Sequence, residues 1–282
     1  MFTQIILICF YFYVSLSLLC SDKNALSSPE QTETTEFVIL GDRTGTHTPG
    51  VFPRVLASAL ESNPEFLIDV GDLIEGGTED SLVLDTQWNE YMSLINHVKI
   101  PFYHTPGNHD LWFPGQMREY LARIGKPYYS FDVKNIHFII LNNSLWFPDS
   151  SQFIDNTQMN WLVDDLKNNN QYYTFVFCHK PFWDPDIVDY KIVNNALHSL
   201  FLAYNVDMVV TGHYHRYFDT EYDGIKYIIA GRAGGGNTVG NPEFTPKDVR
   251  FKSLAVEDHR FLFVTVTNKI TVESHVVPTN QL

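Results

Sequence analysis

Five short polar clusters, each closing an apolar run, carry the residue types that bind cations and move protons. They are Gly41-Asp42-Arg43-Thr44-Gly45, Gly71-Asp72-Leu73-Ile74-Glu75-Gly76-Gly77, Gly107-Asn108-His109-Asp110, Cys178-His179-Lys180-Pro181 and Thr211-Gly212-His213-Tyr214-His215. Carboxylates mixed with an amide and imidazoles suit Mn, Fe or Zn ions better than Ca²⁺, and they do not make a thiolate site. Each cluster also has a plainer reading. Gly-Asp after a strand is a common turn, a lone histidine is usually a satisfied one, and alternate histidines of a strand simply share a face. Five in succession, each stopping an apolar run, are not explained by turns alone. Arg43 has two readings, a fork that holds a phosphate bidentately or a surface partner for one of many acids.

The elements that must position these residues are strand-like runs at Phe37–Leu40, Phe66–Val70, Ile100–His104, Tyr128–Val133, Ile136–Leu141, Tyr173–Cys178, Val206–Val210, Ile225–Ala230, Phe261–Thr267 and Ile270–Val277. Helical spacing appears at Pro53–Ser62, Gln87–Val98, Thr157–Lys167 (with Thr157 placed to cap) and Ile187–Tyr204. Short polar turns at Asn135 and at Asn268-Lys269 predict hairpins. The early part is βαβ-like and the later part richer in antiparallel strands. In an open α/β sheet, side chains at strand C-termini gather at one crevice although far apart in sequence. No internal repeat or inter-domain linker interrupts this pattern, so residues 36–282 form one α/β domain.

These five clusters, in this order and at strand ends, resemble the calcineurin-like metallophosphoesterases, a superfamily that includes the purple acid phosphatases. The resemblance covers roughly residues 36–236. It implies a four-layer α/β/β/α sandwich of two mixed sheets, with two divalent or trivalent metal ions (Mn, Fe or Zn) at the C-terminal strand ends. It assigns Asp72 as the bridge, Asp42 and His215 to one metal, and Asn108, His179 and His213 to the other. His109 matches the histidine that contacts the phosphate and protonates the leaving oxygen, with Asp110 expected to orient it. One position departs. Many relatives carry a histidine two residues after the first aspartate, where this chain has Thr44. Purple acid phosphatases fill that vacancy with a tyrosine three residues past the bridging aspartate; here that residue is Glu75, and His47 is a second candidate.

The implied activity is hydrolysis of a small phosphate ester by a metal-bound hydroxide. A phosphodiesterase of the same fold and a non-catalytic, metal-stabilised binding module are the rivals. The formal charge of −14, from 33 acidic and 19 basic residues among 282, disfavours bulk binding of nucleic acid. Aromatics follow the clusters at Trp112-Phe113, Trp146-Phe147, Phe182-Trp183, Tyr214 and Tyr217. If several rim the crevice, they favour a planar or apolar leaving group. Gly234-Gly235-Gly236-Asn237 reads as a flexible loop outside any nucleotide-phosphate context.

Residues 1–20 are uncharged and apolar, the core of an export signal, although no Lys or Arg stands near Met1. A retained membrane anchor is the alternative. Cys20 loosely resembles the lipidated cysteine of a bacterial lipoprotein, and residues 21–35 read as a polar tether. Of the three cysteines, Cys9, Cys20 and Cys178, only the last falls within the domain, so no disulfide framework is expected.

Overall fold

Period-two alternation along the apolar runs decides the layering. The computed structural model describes residues 33–144, 154–182, 196–236 and 258–279. The expectations for residues 1–32 and for Trp146, Phe147, Trp183 and Asn237 lie outside the described residues. The strands are β1 (Thr35–Leu40), β2 (Phe66–Asp69), β3 (Phe102–Tyr103), β4 (Tyr129–Val133), β5 (Ile136–Ile140), β6 (Tyr173–Phe177), β7 (Met208–Thr211), β8 (Tyr217–Tyr222), β9 (Ile225–Ala230), β10 (Arg260–Val266) and β11 (Ile270–Val276). The helices are α1 (Val51–Glu61), α2 (Ser81–Ile95), α3 (Asn108–Leu111), α4 (Pro114–Arg123), α5 (Asn156–Asn168) and α6 (Ala196–Ala203).

Two sheets form, ordered β11-β10-β1-β2-β3 and β4-β5-β6-β7-β9-β8. Both are mixed: β1, β2 and β3 run parallel, as do β5, β6, β7 and β9, while β4, β8 and the β10–β11 hairpin pair antiparallel. In β1, Phe37 and Ile39 enter a core shared with Phe138 of β5 and Phe175 and Phe177 of β6. Their neighbours Val38 and Leu40 turn the other way, onto Val55 and Leu56 of α1 and Trp88 of α2. Across the sandwich, Ile139, Val176 and Val209 face Leu162 of α5 and Phe201 of α6. Each sheet is thus apolar on both faces, and the order α/β/β/α follows. Phe138 is the hub between the sheets, stacked on Phe131 at 5.0 Å and edge-on to Phe37 and Phe66 at 5.4 Å.

Some boundaries differ from the sequence reading for local reasons. The third strand shrinks to Phe102–Tyr103 because Pro101 has no N–H to give the ladder, though its carbonyl accepts from Leu67 N at 2.9 Å. The cap of α5 is Asp155, whose carboxylate accepts from Gln158 N at 2.7 Å, and Thr157 lies inside the first turn. Asp80 likewise starts α2 earlier than expected by accepting from Leu82 N at 2.9 Å.

His137 of β5 shows how this frame holds a buried imidazole. It lies between Asp132, 2.5 Å from Nδ1, and Asp165, 2.8 Å from Nε2. Burial alone lowers its pKa, but the two carboxylates outweigh burial and raise it above the ordinary histidine value. A raised folded pKa means stabilisation that is complete below about 6.5 and lost as pH rises through the folded value. The stability gap between the wild type and His137→Gln should therefore narrow from pH 6 to pH 9 in urea titrations. A gap that widens with pH contradicts the charged pairing.

Candidate metal centre

All five clusters leave parallel strands at one edge of the sandwich. Asp42 follows β1, Asp72 follows β2, Asn108 opens α3 after β3, His179 follows β6, and His213 and His215 follow β7. Asp42, Asp72 and His179, all buried, each offer a ligand atom within 4.8 Å of the others. His179 Nε2 lies 2.9 Å from Asn108 Oδ1 and 3.3 Å from Asp72 Oδ1, and His179 Nδ1 lies 3.7 Å from Asp42 Oδ1. His215 Nε2 stands 3.9 Å from Asp42 Oδ1. The His213 ring meets that of His179 edge-on, centroids 5.1 Å apart, and its backbone N–H donates to Asp42 Oδ1 at 2.8 Å. Of the seven residues expected to ligate metal, these six are brought together, and Glu75 is bound to Thr46 and His47 instead.

Backbone strain accompanies this convergence. Asp72, His213 and His215 all have positive φ, at 58°, 72° and 53°. Such conformations are sparse for residues with side chains and persist where the surroundings hold them. Gly107 lets the second and third clusters close on each other: a Cβ there would fall 2.1 Å from Asp72 N and 2.2 Å from Asp72 Oδ1. Only glycine fits.

The donor set fits a cation. His179 Nδ1 donates to Val70 O at 2.8 Å, which turns a lone pair at Nε2 toward the oxygens of Asn108 and Asp72. Three acceptors facing one another need a positive charge between them. Asp42 Oδ2 is buried with no hydrogen-bond donor, an arrangement that costs free energy unless a cation meets it. The protonation tendencies say the same. Burial opposes a charged imidazole at His179, but Asp72 and Asp42 outweigh it and push His179 up to about 9, so the site draws in a proton where a metal would sit. Burial raises Asp42, whereas His179 and His109 overcome burial and hold Asp72 well below the usual carboxylate range. Burial, aided by His179, takes His213 down to about 3 and leaves it neutral, as a ligand must be.

His109 stands beside the cluster. Its backbone N–H donates to Asp72 Oδ1 at 2.9 Å, and its Nδ1 donates to the Glu75 carbonyl at 2.6 Å. The ring is therefore oriented by a backbone carbonyl, and the expected orienting role of Asp110 is corrected. The buried Asp110 carboxylate instead accepts from Leu73 N at 2.8 Å, Ile74 N at 3.1 Å and Gly107 N at 2.7 Å, pinning the second cluster to the third.

Three further expectations change. Arg43 is not a surface fork toward a substrate: it is 3% exposed, donates to Leu73 O at 2.6 Å and to Glu90, and lies over the rings of Phe52 and Tyr91. Glu75 commits its carboxylate to Thr46 N at 3.1 Å, His47 N at 2.9 Å and the His47 ring, so the two candidates for the first-metal vacancy bind each other. Thr44 Oγ1 lies 2.7 Å from Asp72 O and 2.6 Å from Ile74 O, and its proton is spent on the backbone. The glycine run is not a loose loop where it is described. The N–H groups of Ala233, Gly234 and Gly235 donate to Asp42 O, and Gly236 O accepts from His215 Nδ1 at 2.8 Å.

Asn143 was not anticipated. Its Oδ1 accepts from His179 N at 3.1 Å and Lys180 N at 3.0 Å, fixing the fourth cluster. The signal was present, because the run Ile136–Leu141 also stops at polar residues, Asn142-Asn143-Ser144.

Comparison with known proteins agrees with this arrangement. A family model described as calcineurin-like phosphoesterase matches residues 37–217. The chain belongs to that family. Purple acid phosphatase 22 of Arabidopsis thaliana is 26% identical over 216 residues, which are 68% of this chain and 47% of that protein. The human serine/threonine-protein phosphatase CPPED1 is 26% identical over 192 residues, 62% of this chain and 61% of that one. This calcineurin-like phosphoesterase thus spans about half to three-fifths of the length of these curated relatives. In fold it is similar to the purple acid phosphatase PPD1 of yellow lupin, with a TM-score of 0.70 at 17% identity, covering 88% of this chain and 52% of that one.

Proposed function

We propose that the protein hydrolyses phosphate esters at a centre of two cations. Asp72 would lie between them, with Asp42 and His215 on one side and Asn108, His179 and His213 on the other. The observation that carries this reading is the opposed set of acceptors, with a buried, donorless oxygen on Asp42 and lone pairs from Asp72, Asn108 and His179 converging. Two cations held there would acidify bound water and polarise the phosphoryl oxygens. The chain's own residues do the rest. Val70 O, Gly236 O and Asn143 orient His179 and His215. The Glu75 carbonyl holds His109 Nδ1, so a proton passed to the leaving oxygen comes from Nε2. We leave Arg43, Glu75 and Asp110 out of the reacting group and assign them to holding the loops that carry it.

The test is turnover of 4-nitrophenyl phosphate and its bis-ester with added Mn²⁺, alongside metal analysis of the protein. Metal-dependent release from either ester is expected, and the preferred ester decides between monoesterase and diesterase. Two bound metals with no turnover of either would favour the non-catalytic binding module, a reading motivated by Thr44.

We infer export, and a tether at the cell surface if Cys20 is lipidated, from the uncharged apolar residues 1–20. Among the described residues no helix is long and apolar enough to cross a membrane. Sequencing the N-terminus of the mature protein checks the inference, and an intact residue 1 overturns it.

A further inference from the structure

We propose that Trp112 is the platform on which the leaving group of the substrate rests, so that esters with a planar aromatic leaving group are preferred. This rests on the phosphoesterase reading and adds the substrate class. Trp112 closes α3 three residues past His109, one turn along, and the residue is 54% exposed. The indole meets the His109 ring edge-on, centroids 5.6 Å apart and planes at 85°. Its position is held by the segment around it: Gln116 of α4 donates to His109 O at 2.6 Å and accepts from Phe113 N at 2.9 Å. A large aromatic left half in water forgoes the free energy of burial, and beside a polar site that exposure is what a ligand-contacting surface looks like.

The direction of proton delivery ties the indole to the leaving group. With Nδ1 bound to Glu75 O, His109 can exchange a proton only at Nε2. That atom opens onto Gly45, where a Cβ would lie 3.6 Å from His109 Nε2 and 2.8 Å from His215 Cε1. The missing side chain keeps clear the space between the proton donor and a ligand histidine. The indole borders the same imidazole, so on this proposal the substituent of an ester oxygen protonated at Nε2 would rest against it. A flat aromatic substituent gains stacking or edge contact there, and a small polyol gains little.

The experiment compares the wild type with Trp112→Ala and Trp112→Phe, all confirmed to hold the same metal content, on phenyl phosphate and glycerol 1-phosphate. Trp112→Ala should lower kcat/KM for phenyl phosphate about 10-fold and for glycerol 1-phosphate by less than about 2-fold, with Trp112→Phe restoring most of the loss. An equal loss on both esters means that the indole only braces His109 and overturns the proposal, as does no loss on phenyl phosphate. A wild type inactive on both of these monoesters and on bis(4-nitrophenyl) phosphate refutes the phosphoesterase reading separately. The platform is then judged by binding: weaker phenylphosphonate but unchanged methylphosphonate binding in Trp112→Ala supports it, and equal or absent effects overturn it.

Discussion

His109→Ala is expected to lower turnover by a factor on the order of 10²–10⁴ while leaving metal content unchanged, the range for a positioned proton donor. Its ring touches the Glu75 carbonyl and the Trp112 indole, and the contact it makes with the acidic cluster, to Asp72 Oδ1, is through its backbone N–H. Alanine keeps that N–H, so the geometry around Asp72 survives the change. The loss should be largest for a poor leaving group, such as the alkoxide of glycerol 1-phosphate, and smallest for 4-nitrophenolate, which departs without a proton. Measuring both esters on one preparation separates the roles. If the two losses are equal, His109 only contacts the phosphate and the acid role fails.

Asp110→Leu is expected to destabilise the protein severely. The wild-type carboxylate is the acceptor for three backbone N–H groups, at Leu73, Ile74 and Gly107, and the residue is fully buried. Hydrogen bonds to a charged group contribute about 1.5–3 kcal/mol each, so losing all three removes on the order of 5–9 kcal/mol, against a total stability of about 5–15 kcal/mol. Burial and the charge on Asp72 push the Asp110 pKa well above the carboxylate range, and the N–H groups of Gly107 and Ile74 oppose that rise. Asp110→Asn should fall in between. Its oxygen still serves Leu73 and Ile74, but its NH₂ is set against the Gly107 N–H. Thermal denaturation of the metal-loaded proteins orders the three. If Asp110→Leu melts within a few degrees of the wild type, Asp110 does not pin these loops.

The clustered polar residues proposed as ligands were legible because what announces them is local. An apolar run that stops at Gly-Asp, Gly-Asn-His or Gly-His-Tyr-His fixes a strand end and its turn within a few residues, and parallel strands put such ends at one edge. Even so, two local signals were passed over. Asp223-Gly224, with φ of 51° and 80°, is the two-residue turn that joins β8 to β9 and makes Tyr217–Tyr222 a strand. Asn143 closes its apolar run just as the ligands close theirs.

What only the tertiary structure decided is where the polar side chains next to the ligands go. Asp110, Glu75, Thr44 and Arg43 stand within three residues of a proposed ligand, and by type each could have entered the site. Asp110 goes to Leu73, Ile74 and Gly107, Glu75 to Thr46 and His47, Thr44 to the carbonyls of Asp72 and Ile74, and Arg43 to Leu73 and Glu90. Apart from Glu90, which lies on α2, these partners belong to loops whose own donors and acceptors are left over once the strands have paired. Buried N–H and carbonyl groups must find partners, and the nearest uncommitted side chain takes them. Which groups are left over depends on how two loops far apart in sequence close on each other, and no local pattern encodes that.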